Sequence, residues 1–388
     1  MNTAKTWQIA VVPGDGIGHE VMSATLEVLE VFRSEGGLSL DWEELPWPST
    51  AWHQAHGEMM PEDGLERLRA FDVILLGALG DPGPKSDPDR YWVSDGISLS
   101  PLLAIRKGFD LWACERPARL FKGAPQYLAD PRAREVDMLV IRENSEGEYV
   151  GQGGRLHRGT PFEIATQLEV FSRHATERLI RYAFLRAAQR LESRCQSTAT
   201  QRTFVDERGT PKQAQVCLIT KRNALPHWGE LYSEVFAEVA EGYPDIATHH
   251  ELVDAACMKF VQCPWQFDVV VASNLQGDIL TDLAAVLSGG MGVASSGNIN
   301  PDDRTVPPMF EPTHGSAPDI AGQGKADPRA MLLTAANMLE WMGVDDPVAA
   351  ESARRLRRAV EQDMVQATGQ VRSTEAIGRT IVGLLQDG

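Results

Sequence analysis

Two stretches of this chain, residues 71–77 (FDVILLG) and 267–272 (FDVVVA), are apolar almost without a break. A strand shows alternate side chains to opposite faces, so such a run needs cover on both sides. A parallel sheet between helices provides that. Residues 136–141 read the same way, and 8–12 and 216–220 are further short apolar strands. Between them lie stretches of helical period. One runs from about 19 to 32, where Val21, Leu26, Val28, Leu29 and Val31 give a broad apolar side; others span about 169–191 and 328–342. Pro61-Glu62-Asp63 is a helix opening, with proline in the first turn and acids near the positive end. Strands alternating with helices predict an α/β fold with a largely parallel sheet. No repeat of fixed period interrupts the pattern. Residues 193–215, polar and rich in Ser, Thr and Gln, are expected to be a surface insertion between a helix and the 216–220 strand.

At 388 residues the chain has length for about two domains. Its formal charge of −17 is spread along the sequence, which argues against nucleic acid or an anionic membrane as partner. A local cluster of arginines could still receive small anions. The first residues are polar and lead straight into a strand, so no signal peptide is expected. No apolar run reaches the ~18 residues a membrane span needs. Cys114, Cys195, Cys217, Cys257 and Cys263 are odd in number and form no Cys-x-x-Cys pair. A reduced, cytoplasmic protein is the expectation.

The chemistry begins with acids. Asp278 and Asp282 are four apart at what reads as a helix start, so their carboxylates share a face, and Asp254 precedes them. Adjacent carboxylates repel, and a hard cation such as Mg²⁺ or Mn²⁺ is a common reason to place them so. The alternative is a solvated helix N-terminus, where the dipole favours Asp.

Gly14, Gly16 and Gly18 follow the first strand, but position 19 is His, so the dinucleotide fingerprint Gly-x-Gly-x-x-Gly fails. Nor does an acid end a second strand of a convincing βαβ unit. A tight strand-to-helix turn is the simpler reading.

Arg116 and Arg142 are expected at or just past strand ends, where α/β proteins gather ligand residues, and Arg106 lies in a third apolar segment. Arginine suits a bidentate grip on carboxylates, although any one of the three could be a surface or ion-paired residue. Tyr149 closes Glu146-Gly147-Glu148-Tyr149. Lys221 ends a strand, where burial could lower its pKa and make it a base. Residues 310–322 (FEPTHGSAPDIAG) offer backbone N–H groups, an imidazole and a carboxylate, a set that suits an adenosine ribose and phosphate.

In order and at compatible spacing, PGDGIG, IRK, ERP, RENSEGEY, TKRNA, ELVDAA, NLQGDILTD and EPTHGSAPDIAG resemble the metal-dependent β-decarboxylating dehydrogenases. That family includes isopropylmalate, isocitrate, homoisocitrate, tartrate and D-malate dehydrogenases. The resemblance runs from about residue 9 to 342. It implies a two-domain, non-Rossmann α/β fold, with 1–111 and 290–388 as a larger cofactor-binding domain. Residues 112–289 would then form a smaller domain with the metal site and dimer interface. It implies NAD and Mg²⁺ or Mn²⁺ as cofactors and a homodimer with shared sites. Arg106, Arg116 and Arg142 would hold a 2-hydroxy diacid. Asp278 and Asp282 would bind the metal with Asp254 of the partner subunit. Lys221, also from the partner, would help remove the C2 hydroxyl proton, and Tyr149 would protonate the enolate. His314, Gly315, Ser316 and Ala317 would surround the adenosine, with Asp319 on the ribose, Glu311 and Asn223 near the nicotinamide, and Asn298 and Asp327 completing the cofactor set.

Some residues depart from the family pattern. Gln276 stands where an aromatic or histidine is usual, Asp327 replaces an Asn that contacts adenine, and Ser295 replaces a proline. An ionised Asp can only accept hydrogen bonds, whereas Asn also donates. Residues 59–66 and 116–123 look most like the tartrate/D-malate branch, so D-malate or tartrate is the expected substrate. Isopropylmalate is the runner-up, because Leu102 and Leu103 resemble residues that receive an isopropyl group while Ser98 and Ser100 could bond a hydroxyl or carboxylate. A non-catalytic, regulatory member of the family is the other alternative.

Overall fold

The continuous apolar runs are interior strands: every residue of Val73–Ala78 and of Val269–Ala272 is buried. The computed structural model describes residues 5–83, 87, 91–196, 202–206 and 208–387. Two units are distinguishable. One comprises Met1–Leu111, Leu120–Tyr127 and Ser288–Gly388; the other comprises Trp112–Arg119 and Leu128–Leu287.

In the first unit the strands run in the order Leu40–Glu44, Trp7–Gly14, Val73–Ala78, Met309–Pro312, Ser295–Ile299. All neighbours are parallel except the last pair. Helix Gly18–Ser34 buries Val21, Met22, Val28, Leu29 and Phe32, the side that its period predicted, with Leu26 only half-buried. Trp47, Leu68, Ile74, Leu76, Ile105 and Phe109 form part of one core cluster. Each contributes roughly 1.5–3 kcal/mol if fully removed from water. The Pro61 segment leads into a short helix, Gly64–Leu68.

Trp7–Gly14, Gly18–Ser34 and Leu40–Glu44 do form a parallel βαβ unit, which the sequence reading had not recognised. The reason is that Leu40–Glu44 (LDWEE) is mostly polar and only Leu40 is buried, so it carries no interior-strand signal. The tight-turn reading of the glycines holds. Gly16 has φ +57°, and a Cβ there would sit 2.1 Å from the Ser316 carbonyl oxygen. The turn is filled by another loop.

In the second unit the order is Ala247–Leu252, Gln215–Thr220, Val269–Ala272, Asp137–Glu143, Ala113–Arg119, again parallel until the last pair. Arg116 lies in mid-strand opposite Val140, not at a strand end as expected. Its strand alternates buried and exposed from Arg116 onward, so it lacks the apolar run that marks a boundary. Of residues 193–215, expected to be a surface insertion, 197–201 and 207 lie outside the described residues, and the rest are partly built into the unit. Helix Arg173–Gln196 runs into the segment, and Phe204–Val205 pairs with Pro211–Lys212. Arginines anchor it. Arg194 bonds both oxygens of the fully buried Asp268, at 2.6 and 2.8 Å, and Arg202 donates to the carbonyls of Trp265 and Phe267. The five cysteines are free. No helix among the described residues is long and apolar enough to cross a membrane.

Candidate active site

The second unit sets two of the arginines against one helix, Asn274–Leu287, which carries Asp278 and Asp282 and follows strand Val269–Ala272 after a single residue. The strand Asp137–Glu143 delivers Arg142 near its C-terminal end, and the antiparallel strand beside it delivers Arg116. Both guanidinium groups are buried and need an anion. Asp278 supplies one: its Oδ1 accepts from Arg142 Nη1 at 2.5 Å and from Arg116 Nη1 at 3.1 Å. Tyr149 donates its hydroxyl to Oδ2 of the same residue at 3.2 Å, and its ring lies 5.4 Å from the Arg142 guanidinium carbon. Asp278 therefore faces a built cluster, not only solvent at a helix end. Incomplete solvation, and then the Asp278 charge, raise the Asp282 carboxyl above the usual value, against the pull of Arg116 and Arg142.

Lys221 follows its strand and pairs with Asp254, Nζ to Oδ1 at 2.9 Å. The hydrogen bond from Lys221 is the main reason that the Asp254 carboxyl titrates below its usual value. Asn223 is exposed in the turn just beyond. Asp254 does not join Asp278 and Asp282 within the chain: no group of three or more His, Cys, Asp or Glu among the described residues could hold a metal. Two hard carboxylates whose repulsion a divalent cation would relieve nevertheless suit Mg²⁺ or Mn²⁺.

In the first unit, Arg106 lies on helix Ser100–Gly108 and bonds Glu311 Oε1 through Nη2 at 2.6 Å. The same oxygen accepts from Asn298 Nδ2 at 2.9 Å. Asn298 is fully buried, with its amide also committed to the Met309 carbonyl. The loop that follows is placed by its backbone: Ile17 N–H donates to the Ser316 carbonyl, and Ala317 takes φ +42°. His314 Nδ1 faces the Gly315 carbonyl at 3.0 Å and must carry the hydrogen, which leaves Nε2 as an acceptor. That atom is buried without a partner, and burial lowers the imidazole pKa. A buried acceptor lacking a donor suits the amine edge of a base such as adenine. Gly315 and Asp319 are exposed. Asp327 has both oxygens on Arg329, at 3.0 Å to its N–H and 2.7 Å to Nη1, so the replacement of Asn by Asp has a local use. Nothing in the structure explains Gln276, whose Oε1 is buried without a partner.

The sequence reading missed Thr281, whose hydroxyl accepts from Arg116 Nη1 at 2.6 Å. It also missed Glu148, which accepts from Leu275 N–H and Ser273 Oγ and so caps the helix that carries Asp278. Thr281 was findable by its spacing of three from Asp278. Glu148 sits outside the helix, and no spacing marks it.

Buried arginines paired with a helix carboxylate beside a mostly parallel sheet define an α/β protein whose second unit carries a buried charged cluster. The family described as isocitrate/isopropylmalate dehydrogenase matches residues 8–380, and the chain belongs to it. The chain is thus a member of a family of dehydrogenases. It is 44% identical over 381 residues to the 3-isopropylmalate dehydrogenase of Thermobifida fusca (strain YX), covering 98% of each chain. It is 40% identical over 362 residues to the D-malate dehydrogenase [decarboxylating] of Escherichia coli (strain K12), covering 92% of this chain and 91% of that one. The crystal structure of isocitrate dehydrogenase from Methylococcus capsulatus matches with a TM-score of 0.77 at 31% identity, over 98% of this chain and 100% of that one. Of the two curated relatives, the one named for isopropylmalate shares the higher identity, against the expected leaning to the tartrate/D-malate branch.

Proposed function

We propose that the protein is an NAD-dependent, Mg²⁺- or Mn²⁺-dependent dehydrogenase that oxidatively decarboxylates 3-isopropylmalate. One observation favours this substrate over D-malate. Leu102 and Leu103 stand four and three residues before Arg106 on the same helix, so they share its face. Of the two serines that could bond a polar substituent, Ser100 Oγ already donates to the Ile97 carbonyl at 2.7 Å, and Ser98 is buried. An isopropyl group buried against the leucines would contribute roughly 2–3 kcal/mol.

In this reading Arg106, Arg116 and Arg142 grip the substrate carboxylates through charge-assisted hydrogen bonds. Lys221 of the partner subunit takes up the C2 hydroxyl proton, and Tyr149 delivers a proton to carbon after CO₂ leaves. Asp278 and Asp282, with Asp254 of the partner subunit, would hold the cation. Bound NAD would supply the hydride acceptor for C2, and the cation a Lewis acid. The separation of Asp254 from the other two acids within one chain supports a shared site. So do Met258, Val261, Leu275, Ile279 and Val286, which are exposed apolar residues on two adjacent helices and offer a surface for a second copy.

The test is a comparison of kcat/KM for isopropylmalate, D-malate, tartrate and isocitrate with NAD and Mn²⁺. Isopropylmalate is expected to lead by more than about tenfold, or about 1.4 kcal/mol. A D-malate lead of that size would restore the other branch, and no turnover of any diacid would favour a regulatory member.

The same assay tests the cofactor. Asp319 is exposed, so its carboxylate can accept the ribose hydroxyls of NAD and would repel the 2′-phosphate of NADP. NAD is expected to be preferred by well over about tenfold in kcat/KM. Equal use of NADP would mean that Asp319 does not face the ribose.

A further inference from the structure

We infer that Asn274 and Gly277 are positioning residues for Arg142, and that the face Asn274-x-x-Gly277-Asp278 acts as an arginine cradle. The role rests on the function proposed above. The three residues are spaced i, i+3, i+4 on helix Asn274–Leu287 and therefore lie on one side of it. Arg142 is held along its whole length by that side. Its Nε donates to the Asn274 carbonyl at 2.8 Å and to Asn274 Oδ1 at 3.1 Å. Its Nη2 donates to the same Oδ1 at 2.8 Å, and Nη1 meets Asp278. The aliphatic stem lies over Gly277, where an added Cβ would come within 2.8 Å of Arg142 Cγ and 2.9 Å of its Cβ. Any larger residue there would lift the arginine off the helix.

The direction of the Asn274 amide is itself fixed. Its Nδ2 donates to the Glu146 carbonyl at 3.0 Å and faces Glu143 Oε2 at 3.4 Å, so Oδ1 must face the arginine. Both Asn274 and Arg142 are buried, which leaves no water to replace a lost contact. A guanidinium fixed in one plane before substrate arrives loses less rotamer freedom when it forks onto a carboxylate. Asn274 thus acts on the substrate through Arg142, without touching it.

The decisive experiment is a double-mutant cycle on substrate KM with Asn274→Ala and Arg142→Lys. In the wild-type background Asn274→Ala is expected to raise KM for the hydroxy diacid by about tenfold or more, with a smaller change in kcat. In the Arg142→Lys background it should add less than about twofold, because the group it positions is gone. The NAD dissociation constant, read by NADH fluorescence competition, should stay within about twofold. Equal KM effects in both backgrounds, or a loss that falls on NAD affinity and the urea midpoint alike, would overturn the cradle in favour of a structural role. Should Asn274→Ala fail to fold, Asn274→Ser is put through the same cycle. The cradle is also read without turnover, from the Arg142 Nε–H signal in nitrogen-edited NMR, assigned by its absence in Arg142→Lys. That proton should be protected from exchange in the wild type and exposed in the Asn274 variant; equal exchange in both sinks the inference. An inactive wild type with a protected Nε–H would sink only the proposed function.

Discussion

Asp278→Asn should lower kcat/KM by about 100-fold or more, equivalent to at least about 2.7 kcal/mol of lost transition-state stabilisation, and leave the fold in place. The substitution keeps shape and an acceptor oxygen for Arg116 and Arg142 but removes the charge, and with it a hard ligand for the cation. The far-ultraviolet circular dichroism spectrum should match the wild type. A second reading avoids turnover altogether: Mn²⁺ should raise the thermal midpoint of the wild type, as any ligand of the native state does, and should fail to raise that of the variant. Unchanged kcat/KM with an unchanged spectrum would return Asp278 to a helix-end role. Mixing carries the test to the dimer. Asp278→Asn and Asp254→Asn chains, each inactive alone, should regain about a quarter of wild-type activity after random re-association, because half the dimers then hold one intact site. No recovery would mean that the acids are not shared between subunits.

Asp268→Ala should have the largest effect on stability, about 3–5 kcal/mol. Asp268 is fully buried and is bonded by Arg190 at 2.7 Å, by Arg194 and by the Gln215 N–H. Without it Arg194 loses its ion pair and Arg190 keeps only Asp137, Nη2 to Oδ1 at 3.0 Å. Burial by itself would push the carboxyl up, but the Arg194 hydrogen bonds and the Arg190, Arg194 and Arg202 charges outweigh it and hold the group below the usual carboxylate range. A depressed pKa contributes stability that is present above the unfolded value, near 3.9, and is lost as pH falls through the folded one. The wild type should therefore lose part of its urea resistance only below about pH 4, and Asp268→Asn should lack that limb. By contrast, Glu351→Gln, which breaks a pair between exposed side chains with Arg354, should not shift the midpoint measurably. An Asp268→Ala chain that unfolds at the wild-type urea concentration would show the network to be dispensable.

Much of the frame was legible because burial on both faces leaves a compositional trace. Residues 71–77 and 267–272 could hardly be anything but interior strands. The half-exposed strands left no such trace: LDWEE and ACERPAR had to be placed by their neighbours, which is why the first βαβ unit and the mid-strand position of Arg116 escaped notice. Asp278 and Asp282 announced themselves by spacing, and the family resemblance supplied roles for residues hundreds of positions apart. It could not show that Ser100 Oγ donates to the Ile97 carbonyl. Nor could a polar composition at 193–215 show that Arg194 and Arg202 tie the segment to buried carboxylate and carbonyl groups.

The discontinuity of the first unit has a consequence for the order in which the chain can assemble. Strand Val73–Ala78 lies between Trp7–Gly14, made early, and Met309–Pro312, made more than two hundred residues later. The second unit, by contrast, is complete once Leu287 has emerged. At ribosomal rates of about 5–20 residues per second, the roughly 230 residues from Ala78 to Met309 take about 12–46 seconds to follow. Throughout that interval the Val-Ile-Leu-Leu stretch has one open side, an apolar ladder waiting for a strand from the far end of its own sequence.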